Sequence, residues 1–141
     1  MKRLLIPVIG AALLAALATP PAAHAAQGST KSYEDITRAA AGLRQLAAKA
    51  CTPEKEMASE CTKQTTWLKN AAGRCDALAK KMQAAGSKSA NVGKVIEKGA
   101  ATEWPNLRGA LQKENGEFSF GSQQAKARQQ EATQLLESLG H

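Results

Sequence analysis

The fold class that the sequence predicts is all-α: a small antiparallel bundle of four main helices, with a short fifth helix near residues 90 to 98 and one disulfide. Three observations predict it. The chain is rich in Ala, the best helix former, and poor in β-branched residues. Apolar residues recur at the alternating 4-3 spacing that draws one stripe along a helix. Gly, Pro and Ser separate the stripes, and no stripe is apolar all round, so each helix needs partners to cover one face.

The first segment is read as an export signal. Lys2 and Arg3 precede an uncharged run from Leu4 to Ala18, Pro20 and Pro21 break it, and Ala23-His24-Ala25 fits a small-residue cleavage site. The run is shorter than the roughly 20 residues that span a bilayer. Residues 1–25 are therefore expected to be removed, with no transmembrane segment left afterwards. Residues 26–31 form a polar leader, and 32–141 form a single domain. The expected location is periplasmic or secreted.

The helices follow in order. Ser32 is expected to cap a first helix of about 18 residues, with Ile36, Ala40, Leu43 and Ala47 on its inner face. Cys61, Thr65, Leu68, Ala72, Cys75, Ala79 and Met82 form an a/d seam on a second helix, and Gly86 stops it. Residues 86 to 93 read as a loop, and Val92, Val95 and Ile96 as a short apolar patch before Gly99. A helix restarts at Thr102, with Pro105 in its first turn, where a missing N–H costs least. The stretch ENGEFSFGS reads as a loop, and Ser122 caps the last helix.

Three cysteines allow three intramolecular pairings. Cys61 and Cys75 on one helix would stand roughly 21 Å apart, against the 7 Å limit for a disulfide. Cys51 at the end of the first helix lies far from Cys75 midway along the second. Cys51–Cys61 remains, and it fits if the second helix begins near Ser59 with 53 to 58 a single turn or loop. Cys75, on the apolar seam, is expected to be a free buried thiol.

Chemistry argues against an enzyme. Once His24 is removed one histidine is left, His141, the last residue. That position suits neither a catalytic triad nor a zinc ligand. There is no phosphate-binding glycine motif, C-x-x-C or C-x-x-C-H. The outline is similar to that of a four-helix exported cytochrome, but Met57 and Met82 lie in the wrong region to serve as haem ligands. No cofactor or metal is expected.

Binding remains. The whole sequence has a formal charge of +7, and residues 61 to 102 hold eight basic and two acidic side chains. Lys63, Arg74, Lys80 and Lys81 form a basic stripe on the second helix, extended by Lys88, Lys94 and Lys98. Trp104, Phe118 and Phe120 gather three of the five aromatic residues in one segment, as interface anchors often do. The expected role is binding of another protein in the cell envelope, of the inhibitor or immunity, chaperone, or secretion and conjugation accessory type. An anionic polymer or lipid headgroup on the basic stripe is the alternative, and a small hydrophobic ligand in the bundle is the third reading. Export and the lack of aromatics interleaved with the charges argue against nucleic acid. The sequence leaves the oligomeric state open.

Overall fold

The computed structural model describes residues 31–52 and 54–140. The signal and nearly all of the leader, together with Pro53 and His141, lie outside them. Four α-helices follow one another: α1, Lys31–Ala48; α2, Ala58–Gly86; α3, Val92–Glu117; and α4, Gln123–Ser138. A short 3-10 turn, Lys55–Met57, leads into α2. Among the described residues there is no strand, and no helix is long and apolar enough to cross a membrane.

Contacts between helices fix the topology. Tyr33 meets Gln83 and Arg44 meets Asp76, so α1 and α2 are antiparallel. Arg74 meets Glu114 and Lys81 meets Glu103, which makes α2 and α3 antiparallel. Asn115 meets Gln129 and Arg108 meets Leu136, so α4 reverses once more. The result is an up-down-up-down bundle whose core runs along the Ile36–Leu43, Leu68–Cys75, Trp104–Leu111 and Ala132–Leu136 stripes. Alanine lets the helices approach closely. Where even a methyl is too large, glycine takes over: a Cβ on Gly42 would stand 2.6 Å from Leu135 Cδ2, and one on Gly99 would collide with the Met82 sulfur.

Two helices differ from expectation. The short helix and its successor are one element: α3 runs unbroken through Gly99 and Pro105. Pro105 therefore sits mid-helix rather than in a first turn. A proline there removes one backbone hydrogen bond and costs about 3 kcal/mol. Burial of Trp104 on one side and Leu111 beyond it offsets that cost and keeps the axis continuous. The same helix extends through Gly116, so the expected loop shrinks to residues 118–122. The second difference concerns Ser32, which lies inside α1. Its N–H donates to the Glu97 carboxylate of α3 at 3.0 Å, and Tyr33 N–H does so at 3.3 Å. Capping comes from another helix.

That device recurs. Glu60 of α2 accepts from Gly121 N–H and Ser122 N–H at 2.9 Å each, closing the N-terminal end of α4 beside the expected Ser122 cap. Arg108 of α3 donates to the Leu136 carbonyl at 2.6 Å, at the C-terminal end of α4. Arg128 of α4 donates to the Leu46 and Lys49 carbonyls at the C-terminal end of α1. Carboxylates thus sit on positive helix ends and guanidinium groups on negative ends, the favourable sign in each case.

The disulfide joins Cys51 to Cys61 with Cα atoms 5.8 Å apart. It ties the exit of α1 to the first turn of α2 across the 3-10 turn. Closing a ten-residue separation stabilises by roughly 2.5 to 3 kcal/mol on the chain-entropy account. A Cys51→Ser, Cys61→Ser variant is expected to lose about that much in urea unfolding, with the helical circular dichroism signal retained. Loss of under 0.5 kcal/mol would contradict the role given to it.

Cys75 is free and has no exposed surface. Burial pushes its thiol up to about 11. A thiolate is the reactive form. The native protein is therefore expected to leave Cys75 unlabelled by a maleimide at neutral pH, and to take up one label per chain once unfolded. Rapid native labelling would show an open seam.

Candidate functional site

Along α2, successive residues turn by about 100°. That rotation places Lys63, Trp67, Arg74, Leu78, Lys81 and Ala85 on one edge, the edge that meets α3. Lys69, Asp76 and Lys80 fall on the other edge, toward α1, where Arg44 pairs with Asp76. The basic stripe expected from the sequence is exposed at all four positions, but it is split between these two edges. Two of its members are neutralised. Arg74 Nη1 lies 2.7 Å from Glu114 Oε1, and Lys81 Nζ lies 2.9 Å from Glu103 Oε1. Lys63 and Lys80 take part in no ion pair among the described residues.

Aromatic residues meet the stripe at its Lys63 end. Phe118 lies edge-on to Trp67 with centroids 5.9 Å apart, and stacks on Phe120 at 5.0 Å. Trp67 Nε1–H donates to the same Glu114 oxygen that receives Arg74. One carboxylate therefore holds both an indole and a guanidinium against the α2–α3 seam. Trp67 and Phe118 are half-buried, whereas Phe120 is 8% exposed and Trp104 only 1%. As surface anchors, Phe120 and Trp104 are corrected: Trp104 packs in the central cluster, where a core built largely from Ala and Leu leaves space that a large ring fills, and Phe120 is covered in the loop between α3 and α4, stacked on Phe118.

Two grooves open along the same seam. One, of about 350 Å³, runs between Arg74 and Leu78 of α2 and Leu107 and Ala110 of α3. The other, of about 390 Å³, lies near the α2–α3 turn and has Met82, Ala85, Val95 and Gly99 as its floor. Val92, 46% exposed, is the one large hydrophobic side chain fully at the surface among the described residues. A further groove, of about 540 Å³, separates α1 from α4 beside Lys49, Glu131 and Leu135. Its rim is closed by the Lys49–Glu131 pair at 2.7 Å.

Among the described residues, no cluster of three or more His, Cys, Asp or Glu side chains is placed to hold a metal ion. No family model, curated protein or solved structure matches the chain. The α2–α3 face must be read from its own chemistry.

The shifted acids on the surface serve the fold. Backbone N–H groups of Gly121 and Ser122 hold Glu60 below the usual carboxylate range. Arg44 does the same for Asp76, and Arg74 with the Trp67 indole does so for Glu114. Each folded pKa lies below its unfolded value, so each group stabilises the fold when ionised. That contribution is complete above the ordinary values of 4.5 for Glu and 3.8 for Asp, and is lost as pH falls through the lower folded values. The thermal midpoint is expected to stay level from neutral pH to about pH 5 and to drop below it. Glu60→Gln is expected to flatten that acid limb, and a limb unchanged in Glu60→Gln would remove Glu60 from the account.

Proposed function

We propose that this is an exported, non-catalytic helical-bundle protein that binds another protein in the cell envelope, in the periplasm or beyond it, through its α2–α3 face. One observation carries the reading. Trp67, Leu107, Phe118, Val92 and Val95, all large, apolar and at least partly exposed, lie along this single seam, interrupted by exposed acid–base pairs. Recognition surfaces commonly combine apolar anchors with a polar rim in this way. The disulfide supports export, since such bonds persist in oxidising compartments. An inhibitor or immunity protein, a small chaperone, or an accessory subunit of a secretion or conjugation system would each use such a face.

The test is affinity capture from native envelope extract at physiological salt, with mass spectrometry of what is retained. A stoichiometric protein partner that is lost with Phe118→Ala is the expected result. An empty capture overturns the proposal. The second reading, an anionic polymer or headgroup, draws on Lys63, Lys80, Lys88, Lys94 and Lys98, which form no ion pair among the described residues. Its signature is retained polymer or lipid, without protein, that moderate salt releases.

A further inference from the structure

The groove at the α2–α3 turn differs from the rest of the seam in its charge. Its floor is apolar: Met82 is nearly buried, Val95 is half-buried, and Gly99 brings the α3 backbone down onto the Met82 sulfur. Its rim is basic. Lys81 and Lys98 line it directly. Lys94 stands one turn before Lys98 on the same side of α3, and Lys88 lies in the turn that links the two helices. Glu103 is the one acid lining the groove, and it is already paired with Lys81. Nearby Glu97 is committed to the α1 backbone amides. Lys88, Lys94 and Lys98 have no ion pair among the described residues.

We infer that this groove is the docking site for an acidic amphipathic segment of the partner protein. Such a segment would lay two apolar side chains on Met82, Val95 and Ala85 and place carboxylates against Lys88, Lys94 and Lys98. The occupant follows from the combination. A purely anionic polymer would have no use for the apolar floor. A bilayer would need apolar side chains that project, whereas Met82 and Gly99 are recessed between two helices and only Val92 stands out. A helix carrying carboxylates on one face and leucines on the other satisfies both the floor and the rim. The assignment rests on the protein-binding reading above, and the experiment separates the two.

The probe is a fluorescently labelled helical peptide of about twelve residues with leucine on one face and glutamate on the other, titrated against the protein expressed from its full sequence. Binding is expected, weakened about tenfold or more in Lys94→Glu, Lys98→Glu. It is expected to be unchanged in Lys69→Glu, which reverses an exposed charge on the far edge of α2. All three positions are solvent-exposed, and circular dichroism checks that each variant is folded. Three results overturn the assignment: no peptide binding, equal loss in Lys69→Glu, or binding only to phosphatidylglycerol vesicles. Repeating the envelope capture with Lys94→Glu, Lys98→Glu separates the claims. A partner retained by the variant as well as by the native protein removes the groove and leaves the protein-binding reading standing. A partner retained by neither removes both.

Discussion

Replacing Arg128 with methionine is expected to lower the unfolding free energy by about 3 kcal/mol, because it strips several buried acceptors of their donor and each group left unpaired costs about 1 to 3 kcal/mol. Arg128 is 2% exposed and has no carboxylate partner among the described residues. Its charge is met instead by dipoles. Nε donates to Gln64 Oε1 at 2.8 Å, Nη1 to the Leu46 and Lys49 carbonyls, and Nη2 to the Cys61 carbonyl and Thr65 Oγ1. Gln64, itself 1% exposed, passes the contact on to the Ala125 carbonyl at 2.8 Å. Desolvation draws the Arg128 pKa down from its ordinary value, which a guanidinium can tolerate without losing its proton. Methionine would fill much of the volume and leave the Leu46, Lys49 and Cys61 carbonyls without this donor. Lysine would keep the charge but bring three donors in place of a planar fork, so Arg128→Lys is expected to lose about half as much. Against a total of about 5 to 15 kcal/mol for a domain of this kind, either change is large. Urea unfolding measures both. A loss under 1 kcal/mol in Arg128→Met would mean that the network adds nothing beyond its packing.

That network was not legible in the sequence, and the reason is range. The a/d seam of α2, its stop at Gly86 and the Ser122 cap are local signals, and the structure places them as the spacing predicts. The disulfide followed from the length of α2 and from the place of Cys51 at the end of α1. Arg128 reaches carbonyls 79 and 82 positions away, and Glu97 caps amides 64 and 65 positions away. No pattern within one helix marks such residues. The continuity of α3 was hidden for a related reason. Gly99 and Pro105 are breakers by local preference, and only the packing of Met82 and Trp104 overrides them. At the candidate site, exposure of the basic residues was readable from helix phase. Their neutralisation was not, because Glu103 and Glu114 come from the neighbouring helix.

Trp104→Ala is expected to cost about 3 to 5 kcal/mol, the range for emptying a large buried aromatic site. Trp104 is the largest of the fully buried side chains and one wall of the central cluster that also holds Ile36, Leu43 and Leu111. It also stands beside Pro105, where α3 lacks one backbone hydrogen bond, so the side chain that fills the core sits at the helix's weakest point. Its indole Nε1–H is buried without an acceptor among the described residues. A buried unpaired donor costs about 1 to 3 kcal/mol. Trp104→Phe removes that donor while keeping most of the ring, so the two effects oppose each other, and a loss of about 1 kcal/mol or less is expected. The pair of variants discriminates between roles. A packing residue gives a large loss with Ala, a small one with Phe, and no change in partner capture below the unfolding transition. A recognition residue would give the reverse: both variants would unfold like the native protein in urea, and both would fail to retain the partner. With 1% of Trp104 exposed, the first pattern is the one expected. Recognition is then left to Trp67 and Phe118, the half-buried rings on the α2–α3 seam.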